Sequence, residues 1–223
     1  MRWIAGVLVV VVGLSFGFYR LVNARSFQLG GELVDRVDTT SKVVALTLDD
    51  GPSERAPEVL RVLAELGVPA TFYLNGRDLD AHPELGRAVV AAGHEVGNHT
   101  YSHRRMVFVT PGAVRDEVER TDTAIRAAGY TGEITFRPPY GKKFLALPRY
   151  LAEHGRTTVM WDVEPEASAA ADIAAEVVRA VRPGSIVLLH VMYGTGEALA
   201  ALPRIVGELR GQGYRFVRVS ELR

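Results

Sequence analysis

Residues 42–52 read KVVALTLDDGP, and the rest of the chain is organised around them. The front half is short, β-branched and apolar, and the back half is an abrupt pair of acids closed by Gly51 and Pro52. This predicts a buried strand that delivers two carboxylates to a turn. Asp49 and Asp50, side by side at the end of an apolar strand, lose hydration and repel each other. Something nearby has to compensate, most simply a cation or an arginine. A plain strand closed by an Asp-Gly turn has the same appearance, so this stretch alone leaves chemistry open.

A length of 223 residues allows one ample domain, or a domain with an appendage. The 26 basic and 26 acidic residues cancel. No global field draws in a polyanion, so no nucleic-acid partner is expected and a neutral or weakly charged substrate fits better. The chain has no cysteine, which excludes disulfides, thiolate metal sites and a cysteine nucleophile. Any metal must be held by His, Asp or Glu.

Ahead of the central stretch, the uncharged run WIAGVLVVVVGLSFGFY lies between Arg2 and Arg20. At about 1.5 Å per residue it comes close to crossing a hydrocarbon core of about 30 Å. Leu21 and Val22 extend it if Arg20 snorkels. Residues 1–25 are therefore expected to be a transmembrane anchor, with the membrane as a partner. A cleaved signal peptide is the rival, because Val22-Asn23-Ala24 ends in a small residue. Residues 26–41, with Gly30-Gly31 and no sustained period, are expected as a linker holding at most one short strand. The folded domain is expected over 42–223. Arg20, Arg25, Arg36 and Lys42 outnumber the charges before the run, which on its own would favour a cytoplasmic domain.

From Lys42 onward strand-like and helix-like stretches alternate, the mark of an α/β layer or barrel. Strands are expected over 43–48, 70–74, 95–98, 134–136, 157–163, 185–189 and 214–219, and helices over 56–66, 83–92, 111–128, 173–181 and 198–210. Polar residues fall at strand ends, where barrels of βα units carry chemistry. His99 and His103 in HTYSH are four apart, so one helical turn would present both imidazoles to one ion. With Asp50 they would complete a two-His, one-carboxylate set. Two solvated histidines would read the same way. Arg137-Pro138-Pro139-Tyr140-Gly141 follows the strand at Phe136, a loop stiffened by two prolines and turned by a glycine. His190 follows the apolar Val187-Leu188-Leu189, where a core histidine bonded to backbone is the commoner meaning.

In this order and spacing, TLDDGP, HTYSH, RPPYG and LLH resemble the signature of the polysaccharide deacetylases of the NodB-homology type, carbohydrate esterase family 4. The resemblance implies a distorted (β/α)7-type barrel preceded by the N-terminal helix, and it covers most of 42–222. It implies a hydrolase that removes N-acetyl groups from a glycan such as peptidoglycan or a chitin-like polymer. It also implies one divalent metal, usually zinc, on Asp50, His99 and His103. By the same resemblance Asp49 is the general base, Arg137 its charge partner, the Tyr140 N–H an oxyanion donor, and His190 the acid. Leu188 and Pro138 would shape the substrate pocket. Such a substrate places the domain outside the cytoplasm, anchored or, if the leader is cleaved, secreted.

The sequence also departs from the family. An Asp-Trp pair that usually orients the acid histidine is replaced by Ala167-Ser168, after WDVEPE. Asp162, at the end of an apolar strand, is the nearest candidate to orient His190 instead, with Glu164 second. An amidase acting on a small non-sugar amide, or a silent glycan-binding protein, would share the fold.

Overall fold

The computed structural model describes residues 2–222, apart from the side chains of residues 2–6 and of Val9. Its centre is β2 (Val43–Asp49), all seven residues of which are buried. A strand covered on both faces sends alternate residues to opposite sides. Val44, Leu46 and Leu48 join the larger apolar core. Val43 and Ala45 join a second cluster with Tyr73, Met160, Trp161, Ile186 and Leu188. Thr47 and Asp49 continue this second face, so the period of two carries the first acid inward.

Around β2 the parallel strands β3 (Thr71–Leu74), β4 (Glu95–Asn98) and β6 (Ser185–Leu189) run in the order β4-β3-β2-β6, and β7 (Arg215–Val217) also pairs with β2. In register, Leu48 faces Phe72 on one side and Leu189 on the other. The connecting helices are α2 (Ala56–Leu66), α3 (Gly76–Ala81), α4 (Pro83–Ala91), α5 (Pro111–Ala127), α6 (Ala146–Glu153), α7 (Ala170–Ala180) and α8 (Glu197–Gly211). Of these, α3 and α6 are not foreseen in the sequence pattern.

Among the described residues no continuous ladder closes this sheet into the expected barrel. The stretch 134–136 contributes only isolated bridges, from Phe136 to Asn98 and to Thr158. Pro138 and Pro139 follow at once and have no N–H to extend a ladder. The stretch 157–163 is reduced to β5 (Thr158–Val159) and a single bridge from Val163 to Val187. Asp162 and Val163 both donate to the carbonyl of Ile186, two residues facing one as in a bulge.

Residues 26–41 are docked onto the domain. β1 (Leu33–Val34) pairs with β5, and Arg36 donates to the Pro183 carbonyl at 3.0 Å. The Val37 N–H donates to Gly184, where a Cβ would lie 1.9 Å from the Val37 oxygen. The fold thus begins before Lys42.

The N-terminal run forms α1 (Arg2–Val22). Its membrane-spanning reading is not supported: among the described residues no helix is long and apolar enough to cross a membrane. The part of that expectation resting on Met1 and on the side chains of residues 2–6 and Val9 lies outside the described residues. The last turns pack on the domain, with Phe18 against Phe108 and Phe144 and with Val22 buried.

Candidate active site

The ends of β2 and β4 meet in a cleft of about 580 Å³. At the end of β2 the backbone turns left-handed at Asp50 (φ 76°) and Gly51 (φ 80°). An aspartate in that region is strained, which fits a position fixed for a function. A Cβ on Gly51 would lie 2.9 Å from Met192 Cγ.

Past β4, residues 99–103 form a loop, where one helical turn was expected. Left-handed Thr100 (φ 66°) and His103 (φ 56°) do the folding, and bring the two imidazoles to a 5.0 Å centroid separation. The loop is held from several sides. Asn98 Oδ1 accepts from Thr100 N, Asn75 donates to the His99 carbonyl, and the Glu117 carboxylate accepts from both N and Oγ of Ser102.

His99 Nδ1 lies 2.8 Å from the Arg137 carbonyl. A carbonyl can only accept, so the proton sits on Nδ1 and Nε2 keeps its lone pair for a ligand. Burial favours the same neutral ring, pushing the His99 pKa down against the pull of Asp49 and Asp50. His99 Nε2 is 3.8 Å and His103 Nε2 3.2 Å from Asp50 Oδ1. One donor atom from each residue lies within 4.8 Å of the other two. Two neutral-capable imidazoles and a carboxylate at this spacing fit a single divalent ion with open positions.

Arg137 is fully buried, and each of its three guanidinium nitrogens donates. Nε donates to the Val159 carbonyl, Nη2 to that of Met160, and Nη1 to Thr47 Oγ1 and, at 2.7 Å, to Asp49 Oδ1. The compensation expected for the paired acids is therefore an arginine for Asp49, while Asp50 faces the imidazoles of His99 and His103. Asp49 Oδ2 lies 3.7 Å from His99 Nε2, on the cleft side.

The polysaccharide deacetylase family model matches residues 36–159. The chain belongs to the polysaccharide deacetylase family. It is 41% identical over 199 residues to a chitooligosaccharide deacetylase of Bradyrhizobium sp., an alignment covering 82% of this chain and 91% of the relative. It is 31% identical over 189 residues to a bifunctional xylanase/deacetylase of Pseudobutyrivibrio xylanivorans, covering 81% of this chain but only 30% of that one. Among solved structures, a peptidoglycan N-acetylglucosamine deacetylase bound to a naphthalenyl N-hydroxybenzamide superposes with a TM-score of 0.80 at 30% identity, covering 85% of this chain and 92% of the other.

Within this family cleft, Tyr140, Leu188 and His190 line the wall with the acids and histidines. Tyr140 is left-handed (φ 59°), with its ring 4.7 Å from that of His103. Pro138 is not on the wall; Gly141, three residues on in the same loop, is. The pairing expected between Asp162 and His190 is also absent. Asp162 accepts from Ser185 Oγ and from the Ile186 N–H, both at 2.9 Å, because the bulge aims its side chain at the base of β6. Exposed His190 has no hydrogen-bond partner among the described residues. Sequence reasoning missed Asn23, Arg25 and Trp161 as wall residues and weighed Glu164 only as an orienter. Trp161 stood in a quoted motif. Nothing in sequence links Arg25 to Glu164, 139 positions away.

Proposed function

We propose that this protein is a metal-dependent hydrolase that removes N-acetyl groups from an N-acetylated glycan, peptidoglycan or a chitin-like oligosaccharide. The observation that carries the reading is the meeting, in one cleft, of the arginine-paired Asp49 with the Asp50, His99 and His103 donor set. The names of the relatives support the substrate class.

Asp50, His99 and His103 would hold the ion, and zinc matches their mixture of imidazole and carboxylate. When bound, it supplies an acidified water and a polarised acetamide carbonyl. Asp49 takes the water's proton on Oδ2, since Oδ1 is committed to Arg137. The Tyr140 N–H donates to the carbonyl oxygen as it gains charge. His190 returns a proton to the amine as the C–N bond breaks, giving acetate and a free amino sugar. Leu188 closes the acetyl side of the cleft. An N-acetylated wall or chitin-like polymer is met outside the cytoplasm, and we place the protein there on that ground.

Acetate release from chitooligosaccharides, peptidoglycan and small amides, with zinc added or chelated, tests the reading. Zinc-dependent release from a glycan that Asp49→Asn slows ~10²- to 10⁴-fold is the expected result. Release from small amides alone would replace the substrate, and no release from any of them would leave a glycan-binding protein.

A further inference from the structure

The cleft wall includes a segment far from the family motifs in sequence. Asn23 and Arg25 follow α1 directly and line the same cleft as Asp49 and His103. They are held there by the loop that carries Tyr140. Lys142 Nζ donates to Asn23 Oδ1, and buried Lys143 donates to the Ala24 carbonyl at 2.6 Å. Arg25 then places its guanidinium 4.9 Å from the Trp161 ring centroid, and Arg137 lies 5.4 Å from the same centroid. Arg25 and the Trp161 indole N–H both donate to Glu164 Oε2, at 2.7 and 2.8 Å. Arginine, indole and carboxylate thus form one locked unit whose inner neighbour is the arginine that holds the base.

This unit is half open to water, with the Arg25 side chain 49% and that of Glu164 30% exposed. An exposed ion pair of this kind adds little to stability by itself. Its chemistry suits recognition. Arginine has five N–H donors in a fixed plane, and Glu164 takes both of its bonds on one oxygen, so donors and an acceptor remain uncommitted among the described residues. The pair is neutral as a whole, which disfavours an anion and favours a group that both donates and accepts. Sugar hydroxyls have that property.

We propose that Arg25, with Glu164, is a substrate-binding residue that holds hydroxyl groups of a neutral oligosaccharide beside the reacting sugar, so that the segment after α1 completes the glycan cleft. This deepens the glycan reading above and rests on it.

Calorimetric titration of the zinc-loaded Asp49→Asn protein with N-acetylchitotetraose tests it, since binding is then read without turnover. Adding Arg25→Ala should weaken binding about tenfold. Arg25→Lys, which keeps the charge and loses the planar fork, should weaken it nearly as much. Glu164→Gln should also weaken binding, and the loss should not depend on salt between about 0.05 and 0.5 M, because neutral hydroxyls are not screened as an anion would be. Unchanged affinity in Arg25→Ala and Glu164→Gln, with the parent binding normally, overturns this proposal alone. A loss that disappears at high salt, or full rescue by lysine, overturns the hydroxyl assignment in favour of an anion. A parent that binds no glycan, with a wild type that releases no acetate, overturns the glycan reading and this proposal together.

Discussion

Arg137 Nη1 lies 2.7 Å from Asp49 Oδ1, with the two side chains 0% and 3% exposed. The other two nitrogens of that guanidinium also meet oxygens, the backbone carbonyls of Val159 at the end of β5 and of Met160 just after it. The pair therefore does two things: it gives the first acid a buried cationic partner, and it ties β2 to residues 159–160.

Arg137→Met should destabilise the fold by about 3–5 kcal/mol, because it leaves a buried carboxylate and two buried carbonyls without their donor. Urea unfolding in chelator is the measurement. Adding Asn at position 49 should recover part of the loss, since a neutral amide no longer requires the missing charge. If the double variant is no more stable than Arg137→Met alone, the carboxylate was not the source of the penalty.

The base and the ligands should separate experimentally. His99→Ala removes a buried donor whose tautomer is fixed by Arg137, so bound metal should fall to background. Asp49→Asn should keep its metal while turnover falls ~10²- to 10⁴-fold. Metal analysis and acetate release on the same preparations check both. Full metal content in His99→Ala would remove that residue from the donor set.

Much of this site was legible in sequence because it sits at strand ends, where a period-two apolar run stops and polar residues begin. β2 and β4 placed Asp49, Asp50 and His99, and RPPYG placed Arg137 and Tyr140. Less legible was anything decided by non-local backbone. The His99 to His103 spacing suits a helix, yet left-handed Thr100 and His103 bring the rings together in a loop. Asp162 reads as an interior acid until the shared Ile186 carbonyl turns it toward Ser185. The stretch 26–41 holds the one short strand expected of it, but its docking on β5 and the close approach of Val37 to Gly184, 147 positions away, are decided by residues far off in sequence. Arg25 belongs to the same class.

Stability should fall on the acid side through His94. Its Nδ1 accepts the Ala70 N–H at 3.2 Å and its ring lies 5.1 Å from Phe72, so protonation would eject a donor into an apolar site. Burial, with the Arg218 charge second, pulls its pKa from 6.5 down to about 4. The neutral ring is the native form, and the unfolded chain takes up the proton first as pH falls. The His94 contribution is thus fully present above about pH 6.5 and is lost progressively down to about pH 4, a change of about 3 kcal/mol. His94→Gln should flatten the unfolding free energy over that window relative to wild type. An identical pH profile in the two proteins would assign the acid sensitivity elsewhere.

The last expectation concerns a residue with no chemistry of its own. Gly97, on β4, lies against the Tyr73 ring, and a Cβ there would fall 2.4 Å from Tyr73 Cε1 and 3.2 Å from the Thr135 carbonyl oxygen. Tyr73 cannot easily yield. It is fully buried, its hydroxyl is 3.0 Å from Thr135 Oγ1, and Arg137 lies over its ring at 4.1 Å. Gly97→Ala should therefore push Tyr73 into Arg137 and displace the group that holds Asp49. Overpacking of this kind costs about 1–3 kcal/mol of stability. It should also lower turnover by about tenfold or more, since small misplacements of catalytic groups are costly. Any bound metal should be retained, because the candidate donor set hangs from the loop past β4 and from Asp50. Relief by Tyr73→Phe or Tyr73→Leu in the Gly97→Ala background would locate the strain in that ring. Wild-type turnover in Gly97→Ala would instead mean that β4 shifts without moving Arg137.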